Sequence, residues 1–308
     1  MPVARSVLLY ASRSRRLAAA LRNRRFVGRA VSRFMPGEDF SAALDAARRF
    51  AAAGIGTVLT KLGENVTTLS EAEAVQRHYL EALSDIRQAA LPAQVSVKLT
   101  QLGLDVDRAA CERALRSLIA GAAEGGSTLW IDMEDSSYTD ATLELFRRVR
   151  SERPNVGVCL QAYLRRTPAD LESLLPLEPA IRLVKGAYAE PPAVAFPGKR
   201  DVDAAYYALA GRLLEQAARG KAKPVFGTHD MLLVERIRAR AAELAVPPGA
   251  CEFHLLYGIR ERDQRALAAE GEVVRVLVSY GSAWFAWYMR RLAERPANVW
   301  FVIKSMFA

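Results

Sequence analysis

The stretch Pro224-Val-Phe-Gly-Thr-His-Asp-Met-Leu-Leu-Val-Glu-Arg-Ile-Arg-Ala-Arg-Ala-Ala-Glu-Leu-Ala-Val-Pro-Pro-Gly-Ala-Cys-Glu-Phe-His-Leu-Leu256 holds a whole strand–helix–strand pattern. An apolar run at 224–228 ends in polar Thr228-His229-Asp230, an amphipathic stretch fills 231–244, and a second apolar run covers 251–256. About thirty residues in that order is what two parallel strands joined by a crossover helix need.

Working outward, the same alternation fills most of the chain. Strands are predicted at 55–62, 95–99, 128–132, 156–161, 181–185, 224–228, 251–256 and 273–278. A helical stretch follows each in turn, at 71–90, 107–123, 141–152, 168–175, 202–219, 231–244, 262–270 and 283–294. Eight such units in about 250 residues match an α/β fold of the (β/α)8 barrel type in number and length. An open doubly wound sheet is the alternative, but no G-x-G-x-x-G follows the first strand to support it.

The 308 residues are 51% apolar and 25% charged, which excludes disordered and fibrous classes and leaves ample material for one large core. Lys and Arg number 43 against 34 Asp and Glu, a net charge of +9. That excess would suit nucleic acid, but its location argues otherwise. Residues 1–37 hold nine arginines and no acid, so the remainder carries 34 charges of each sign. The expected organisation is a basic N-terminal helical arm at 1–37 and a neutral catalytic barrel at 38–308, parted at Pro36-Gly37. In the arm, Arg22, Arg25, Arg29 and Arg33 form a stripe opposite Val27, Val31 and Phe34, as in a helix packed on the body. The stripe also suits an anionic membrane surface. An arginine-rich start resembles a mitochondrial presequence in composition, although the helical pattern favours a structural arm. No run approaches the eighteen or so apolar residues of a membrane span. Cys111, Cys159 and Cys251 lie far apart with no C-x-x-C spacing, which fits a reducing compartment and neither a disulfide framework nor a zinc site.

In such a barrel chemistry belongs at the C-terminal ends of the strands, where the loops converge. Polar residues gather there: Lys98, Asp132, Gln161, Arg182 with Lys185, Thr228-His229-Asp230, and Glu252 with His254. The helix after the last strand adds Tyr288, Arg290, Arg291 and Glu294. Any one of these has a plain structural explanation, such as an ion pair or a helix cap. So many strand ends closing in polar groups together point to a pocket. Cations dominate it, which suits an anionic ligand, and neighbouring arginines can grip a carboxylate. Neither metal-ligand spacing nor a nucleophile elbow is present, so the chemistry is expected from a cofactor. Two other classes stay open on the residues alone: a lyase using Lys98 or Lys185 as a Schiff base, and an inert barrel tethered by its arm. Nucleic acid is disfavoured, since basic and aromatic residues do not interleave.

Six segments together carry a family resemblance. Arg182-Leu-Val-Lys-Gly-Ala-Tyr188, Phe226-Gly-Thr-His-Asp230, Glu252-Phe-His-Leu-Leu-Tyr-Gly258 and Tyr288-Met-Arg-Arg-Leu-Ala-Glu-Arg-Pro-Ala-Asn298 closely resemble proline dehydrogenases. Val97-Lys-Leu-Thr-Gln-Leu-Gly103 and Asp132-Met-Glu-Asp135 extend the likeness, which runs from about residue 38 onward and is greatest to short, monofunctional bacterial members. The resemblance implies a distorted (β/α)8 TIM barrel that holds FAD noncovalently. It implies oxidation of L-proline to 1-pyrroline-5-carboxylate, the first step of proline catabolism toward glutamate, with a quinone reoxidising the flavin. A cytoplasmic protein, peripheral at the inner membrane and handing its product to a pyrroline-5-carboxylate dehydrogenase, is the expected setting.

The resemblance also assigns residues. Arg290 and Arg291 match the pair that grips the substrate carboxylate, and Lys98 matches the lysine that assists them. Asp132 and Glu294 match acids of the active site, while Tyr188, Leu256 and Tyr288 match walls around the substrate ring. Arg182 matches a cation near flavin N5, suited to stabilising reduced flavin. Gln161, Val184, Lys185, Gly186, Thr228 and His229 match cofactor contacts. Glu64 matches a gate acid that pairs with the substrate arginine when the site is empty.

Three positions depart from the family pattern. Leu277 stands where a tyrosine near the substrate ring is usual, which opens 4-hydroxy-L-proline or another cyclic imino acid as an alternative substrate. Tyr280 is the candidate to fill that gap and leave the substrate unchanged. His254 replaces a glutamine beside the flavin; it either substitutes the amide's hydrogen bond or makes the flavin potential pH-dependent. Gly227 replaces an alanine, a change expected to be tolerated.

Overall fold

The computed structural model describes residues 31–285 and 288–289. Eight parallel strands close into a barrel in chain order: β1 (Gly56–Lys61), β2 (Ala93–Val97), β3 (Leu129–Ile131), β4 (Val156–Gln161), β5 (Ala180–Val184), β6 (Lys223–Gly227), β7 (Glu252–Leu256) and β8 (Val273–Tyr280). Helix α1 (Phe40–Ala51) precedes β1. Then α2 (Leu69–Gln88), α3 (Arg108–Glu124), α4 (Thr139–Arg150), α5 (Thr167–Leu174), α6 (Lys199–Ala217), α7 (Met231–Glu243) and α8 (Glu261–Ala269) follow successive strands. The ring is closed by β1 on β8, six residues in register from Gly56 opposite Arg275 to Lys61 opposite Tyr280. The (β/α)8 TIM barrel read from the alternation is therefore the fold.

Alternation along each strand sorts side chains to two cores. Val58, Trp130, Ala180 and Val225, with Leu277 packed against them, come from five strands and meet inside the barrel. Their outward neighbours join the helices in the larger core, as Leu59, Ile131, Ile181, Phe226 and Val276 do. The indole of Trp130 lies against Gly157, its register partner on β4, where any Cβ would overlap the ring. Its Nε1 donates to Gln94 Oε1 at 2.6 Å. Below it, the floor is ionic. Glu252 meets Arg275 Nε at 2.8 Å, Lys223 Nζ at 2.7 Å and His254 Nε2 at 3.1 Å.

Several boundaries differ from the sequence reading. Helix α2 starts at Leu69 rather than 71, because Thr67-Thr68 and Glu71 form a reciprocal cap: Thr68 Oγ1 accepts from Glu71 N, and Glu71 Oε2 accepts from Thr67 N at 2.8 Å. Helix α6 begins at Lys199, three residues early, and β8 runs on to Tyr280. Helix α1 was not foreseen, although Ala43, Ala46, Ala47 and Phe50 give it a buried stripe. Of the expected last helix, 283–285 and 288–289 are described, and 284–285 and 288–289 are helical. Val31, Phe34 and Met35, ascribed to the arm, are buried on the body. The Arg33 carbonyl packs on Gly258, and the Phe34 ring lies 6.1 Å from that of Tyr288. Residues 1–30 of the arm, with Arg22, Arg25, Arg29 and Val27 of the expected stripe, lie outside the described residues. All three cysteines are free thiols.

Candidate active site

The inward positions at the tops of β2, β3 and β5 bring Lys98, Asp132 and Arg182 together. Asp132 Oδ1 accepts from Ser96 Oγ at 2.7 Å and pairs with Arg182 Nη2, while Oδ2 lies 3.5 Å from Lys98 Nζ. Ser96 Oγ in turn accepts from Arg182 Nη2 at 2.8 Å. The guanidinium sits over the Trp130 ring, 5.1 Å from its centroid, so the indole supports it from below. Burial pushes the Asp132 carboxyl up, but Arg182, Lys98 and the Ser96 hydroxyl outweigh it and hold the group below its ordinary range. Asp132 is thus a fixed anion between two cations.

A second group gathers at the tops of β5 and β6. Lys185 Nζ pairs with Asp203 of α6 and with Asp230 Oδ2 at 3.0 Å, and Lys199 joins the same two acids. Gly186 has φ +112°, and a Cβ there would overlap the Tyr163 ring, so glycine lets the chain turn against it. Val184 packs beside Gly227, where an alanine Cβ would press on Val184 Cγ1. His229 Nε2 accepts the backbone N–H of Leu256 at 2.9 Å, joining β6 to the top of β7. Thr228 Oγ1 accepts from Asp230 N at 3.1 Å and is buried.

The other expected residues lie around these groups. Gln161 closes β4, its Nε2 donating to the carbonyls of Met133 at 3.2 Å and Glu134 at 3.1 Å. Tyr188 lies in the β5–α6 connection, whose tip is fixed by Glu190 accepting from Ser136 N at 2.7 Å and Ser136 Oγ at 2.6 Å. Glu64 lies in the β1–α2 connection. Tyr288 is buried, and burial lifts its phenol to about 12. Leu277 sits lower, on the inward face of β8 beside Trp130's cluster. Tyr280 does not fill the gap above it. It faces outward, bonded to His78 Nε2 at 2.8 Å and 5.4 Å from the Phe40 ring. Arg290, Arg291 and Glu294 lie outside the described residues. Ser96, Trp130 and Glu134 are site residues that the sequence reading does not single out, whereas Glu252 is among the strand-end polar groups it names. Two-residue spacing from Lys98 and Asp132 is the available signal, since it puts these three on the same inward faces.

His254 is neutral. Its burial lowers the imidazole pKa to about 4 despite the Glu252 carboxylate beside it. With Nε2–H donated to Glu252, Nδ1 is left as an acceptor.

Three buried polar atoms of the interior arc from β4 to β7 have no protein partner: Gln161 Oε1, Arg182 Nη1 and His254 Nδ1. Unpaired buried groups cost about 1–3 kcal/mol each, so their grouping calls for a ligand. A donor between two acceptors, next to the close-packed glycines 186 and 227, fits a flavin, which carries both ring acceptors and N–H or O–H donors. The residues present therefore fit the expected cofactor.

A model of the family described as proline dehydrogenase matches residues 43–304. Proline dehydrogenase 1 of Bacillus subtilis (strain 168) is 37% identical over 274 residues, covering 89% of each chain. Proline dehydrogenase of Deinococcus radiodurans is 36% identical over 281 residues, covering 90% of this chain and 89% of its own. Among solved structures, proline utilization A from Bdellovibrio bacteriovorus, inactivated by N-propargylglycine, superposes with a TM-score of 0.78 at 26% identity. That match covers 85% of this chain and 32% of the larger protein.

Proposed function

The chain belongs to the proline dehydrogenase family, and from that premise we propose that it oxidises L-proline to 1-pyrroline-5-carboxylate with noncovalently held FAD. The observation that carries this reading is the Lys98–Asp132–Arg182 cluster at the strand ends, with an unpaired guanidinium nitrogen beside it.

Bound FAD supplies a two-electron acceptor for the hydride leaving the ring carbon next to the amine. Gln161, Arg182, Val184, Lys185, Gly186, Thr228, His229 and His254 would hold it. Arg182 has one nitrogen tied to Ser96 and Asp132, so it is a preorganised cation and needs no reorientation as negative charge develops. Asp132 keeps that guanidinium aimed and offsets the cationic pocket. Lys98 lends its charge to the substrate carboxylate, which Arg290 and Arg291 grip; Tyr188, Leu256 and Tyr288 wall the ring. The amine proton leaves to water before the hydride departs. A quinone takes the electrons onward, and a pyrroline-5-carboxylate dehydrogenase receives the product. No helix among the described residues is long and apolar enough to cross a membrane. Peripheral contact with an anionic bilayer would belong to the basic arm.

A spectrum of the purified protein tests this directly. A flavin band that bleaches on adding L-proline is expected. A colourless protein, or a band indifferent to proline, would overturn the reading. One observation favours a second substrate: Leu277 leaves the far side of the ring site without its usual aromatic, and Tyr280 faces away. Steady-state comparison with trans-4-hydroxy-L-proline decides, and a strong preference for proline removes that alternative.

A further inference from the structure

Glu134 is buried at the barrel mouth, two residues beyond Asp132, yet has no part in the chemistry above. Both of its carboxylate oxygens are committed to one residue. Oε2 accepts from Thr100 Oγ1 at 2.6 Å, and Oε1 accepts from Thr100 N at 3.1 Å. Thr100 then passes the hold on. Its Oγ1 accepts from Asn65 N at 3.1 Å and its carbonyl accepts from Val66 N at 3.2 Å. Its neighbour Gln101 donates Nε2 to the Lys61 carbonyl at 3.0 Å.

The segment so gripped is the turn that carries Glu64. Its backbone is unusual on both sides of that residue: Gly63 has φ +142° and Asn65 has φ +58°. A left-handed asparagine persists where surrounding contacts over-determine it. Here those contacts come from Thr100. Because the Thr100 hydroxyl gives its proton to a carboxylate, its lone pairs stay available to the Asn65 N–H, and the two bonds reinforce each other. Burial lifts the Glu134 carboxyl to about 6, with Thr100 and Lys98 pulling it back down, so it is an anion under ordinary assay conditions. The Glu134 main chain is itself held, its carbonyl accepting from Gln161 Nε2 at 3.1 Å. Connections after β1, β2 and β3 and the end of β4 are thereby keyed to one another.

We infer that Glu134 is a positioning residue which, through Thr100, sets the place of Glu64 at the mouth of the site. It touches neither substrate nor cofactor and acts only through the β1–α2 turn. The part that concerns substrate entry rests on the imino-acid reading above; the mechanical part does not.

Hydrogen exchange on the full, flavin-loaded chain tests the mechanical part. Thr100→Val keeps the side-chain shape and removes the hydroxyl, so the Asn65 amide should exchange at least tenfold faster; Thr100→Ser should restore the slow rate. Unchanged exchange in Thr100→Val overturns the proposal. Glu134→Gln, which keeps shape but loses the anion, should show a smaller increase at the same amide. For the functional part, Thr100→Val should raise KM for L-proline at least threefold with kcat within twofold. The double variant Thr100→Val/Glu64→Gln should then be no worse than Glu64→Gln alone. Additive effects on KM would show that Thr100 does not work through Glu64 and would overturn it. If no imino acid is turned over by the parent protein, the functional reading fails while the exchange result still decides the turn.

Discussion

Asp132 shows how little freedom a single side chain has at this mouth. Its carboxylate answers two cations and a hydroxyl, so Asp132→Asn would leave Arg182 buried opposite an amide. We expect kcat/KM for L-proline to fall at least a hundredfold, about 2.7 kcal/mol of transition-state stabilisation. Flavin reduction followed by stopped flow measures it, and a fall under fivefold would deny Asp132 that part. His254 gives a stability signature of its own. Its folded pKa is depressed, so below the ordinary value of about 6.5 the unfolded chain takes up a proton that the folded chain refuses. Stability is therefore lost as pH falls, by about 2 kcal/mol from this group between pH 6.5 and 5. The buried Glu134, with its raised pKa, works in the opposite direction over that window. Urea unfolding of His254→Gln against the parent chain isolates the imidazole, and parallel pH profiles would show the assignment to be wrong. Residues such as Lys98, Asp132 and Arg182 were legible because a charge at a strand end stands out in sequence. Ser96 was not, because a serine inside an apolar run carries no mark of the two charges it joins. Leu277 was legible as a departure, but only the pleat of β8 shows that Tyr280 turns away from it.

At the scale of elements, strands and helices follow from apolar periodicity, while the connections that shape the mouth obey contacts made across the barrel. The β5–α6 connection is the clearest instance. It is stitched to the β4–α5 connection by a bridge between Leu164 and Ala195, by Arg165 N on the Val194 carbonyl, and by the Arg165 guanidinium 4.6 Å from the Phe196 ring. Its tip depends on Glu190 and the backbone and hydroxyl of Ser136. Glu190→Ala removes the tip contacts and leaves the stitches. Limited proteolysis at 187–193 should quicken severalfold, with KM rising through the loss of Tyr188's setting. Thermal unfolding should move only a few degrees, as expected for a change of about 1 kcal/mol or less. Unchanged cleavage would show that the stitches alone hold the segment. No sequence signal pairs Glu190 with Ser136, which lie 54 positions apart.

For the whole molecule, the +9 charge resolves into a balanced barrel and a basic leader whose end is built into the body. Removing residues 1–36 would take away buried Val31, Phe34 and Met35 along with the arginines. Removing 1–30 spares them and still deletes eight of the nine arginines. The shorter deletion should weaken binding to anionic liposomes while flavin content and the melting temperature hold. The longer one should lower the melting temperature as well. Equal liposome binding by parent and shortened chains would leave the arm no membrane role. The seam between β1 and β8 has a further consequence. It joins residue 56 to 275 and residue 61 to 280, so the first strand's free edge waits until the eighth strand has been made. Until the eighth strand emerges, a nascent chain exposes two unpaired β edges and an apolar lumen, the conditions that favour misassociation. Yield during biosynthesis, more than the endurance of the finished enzyme, is where mutations along that seam should first be felt.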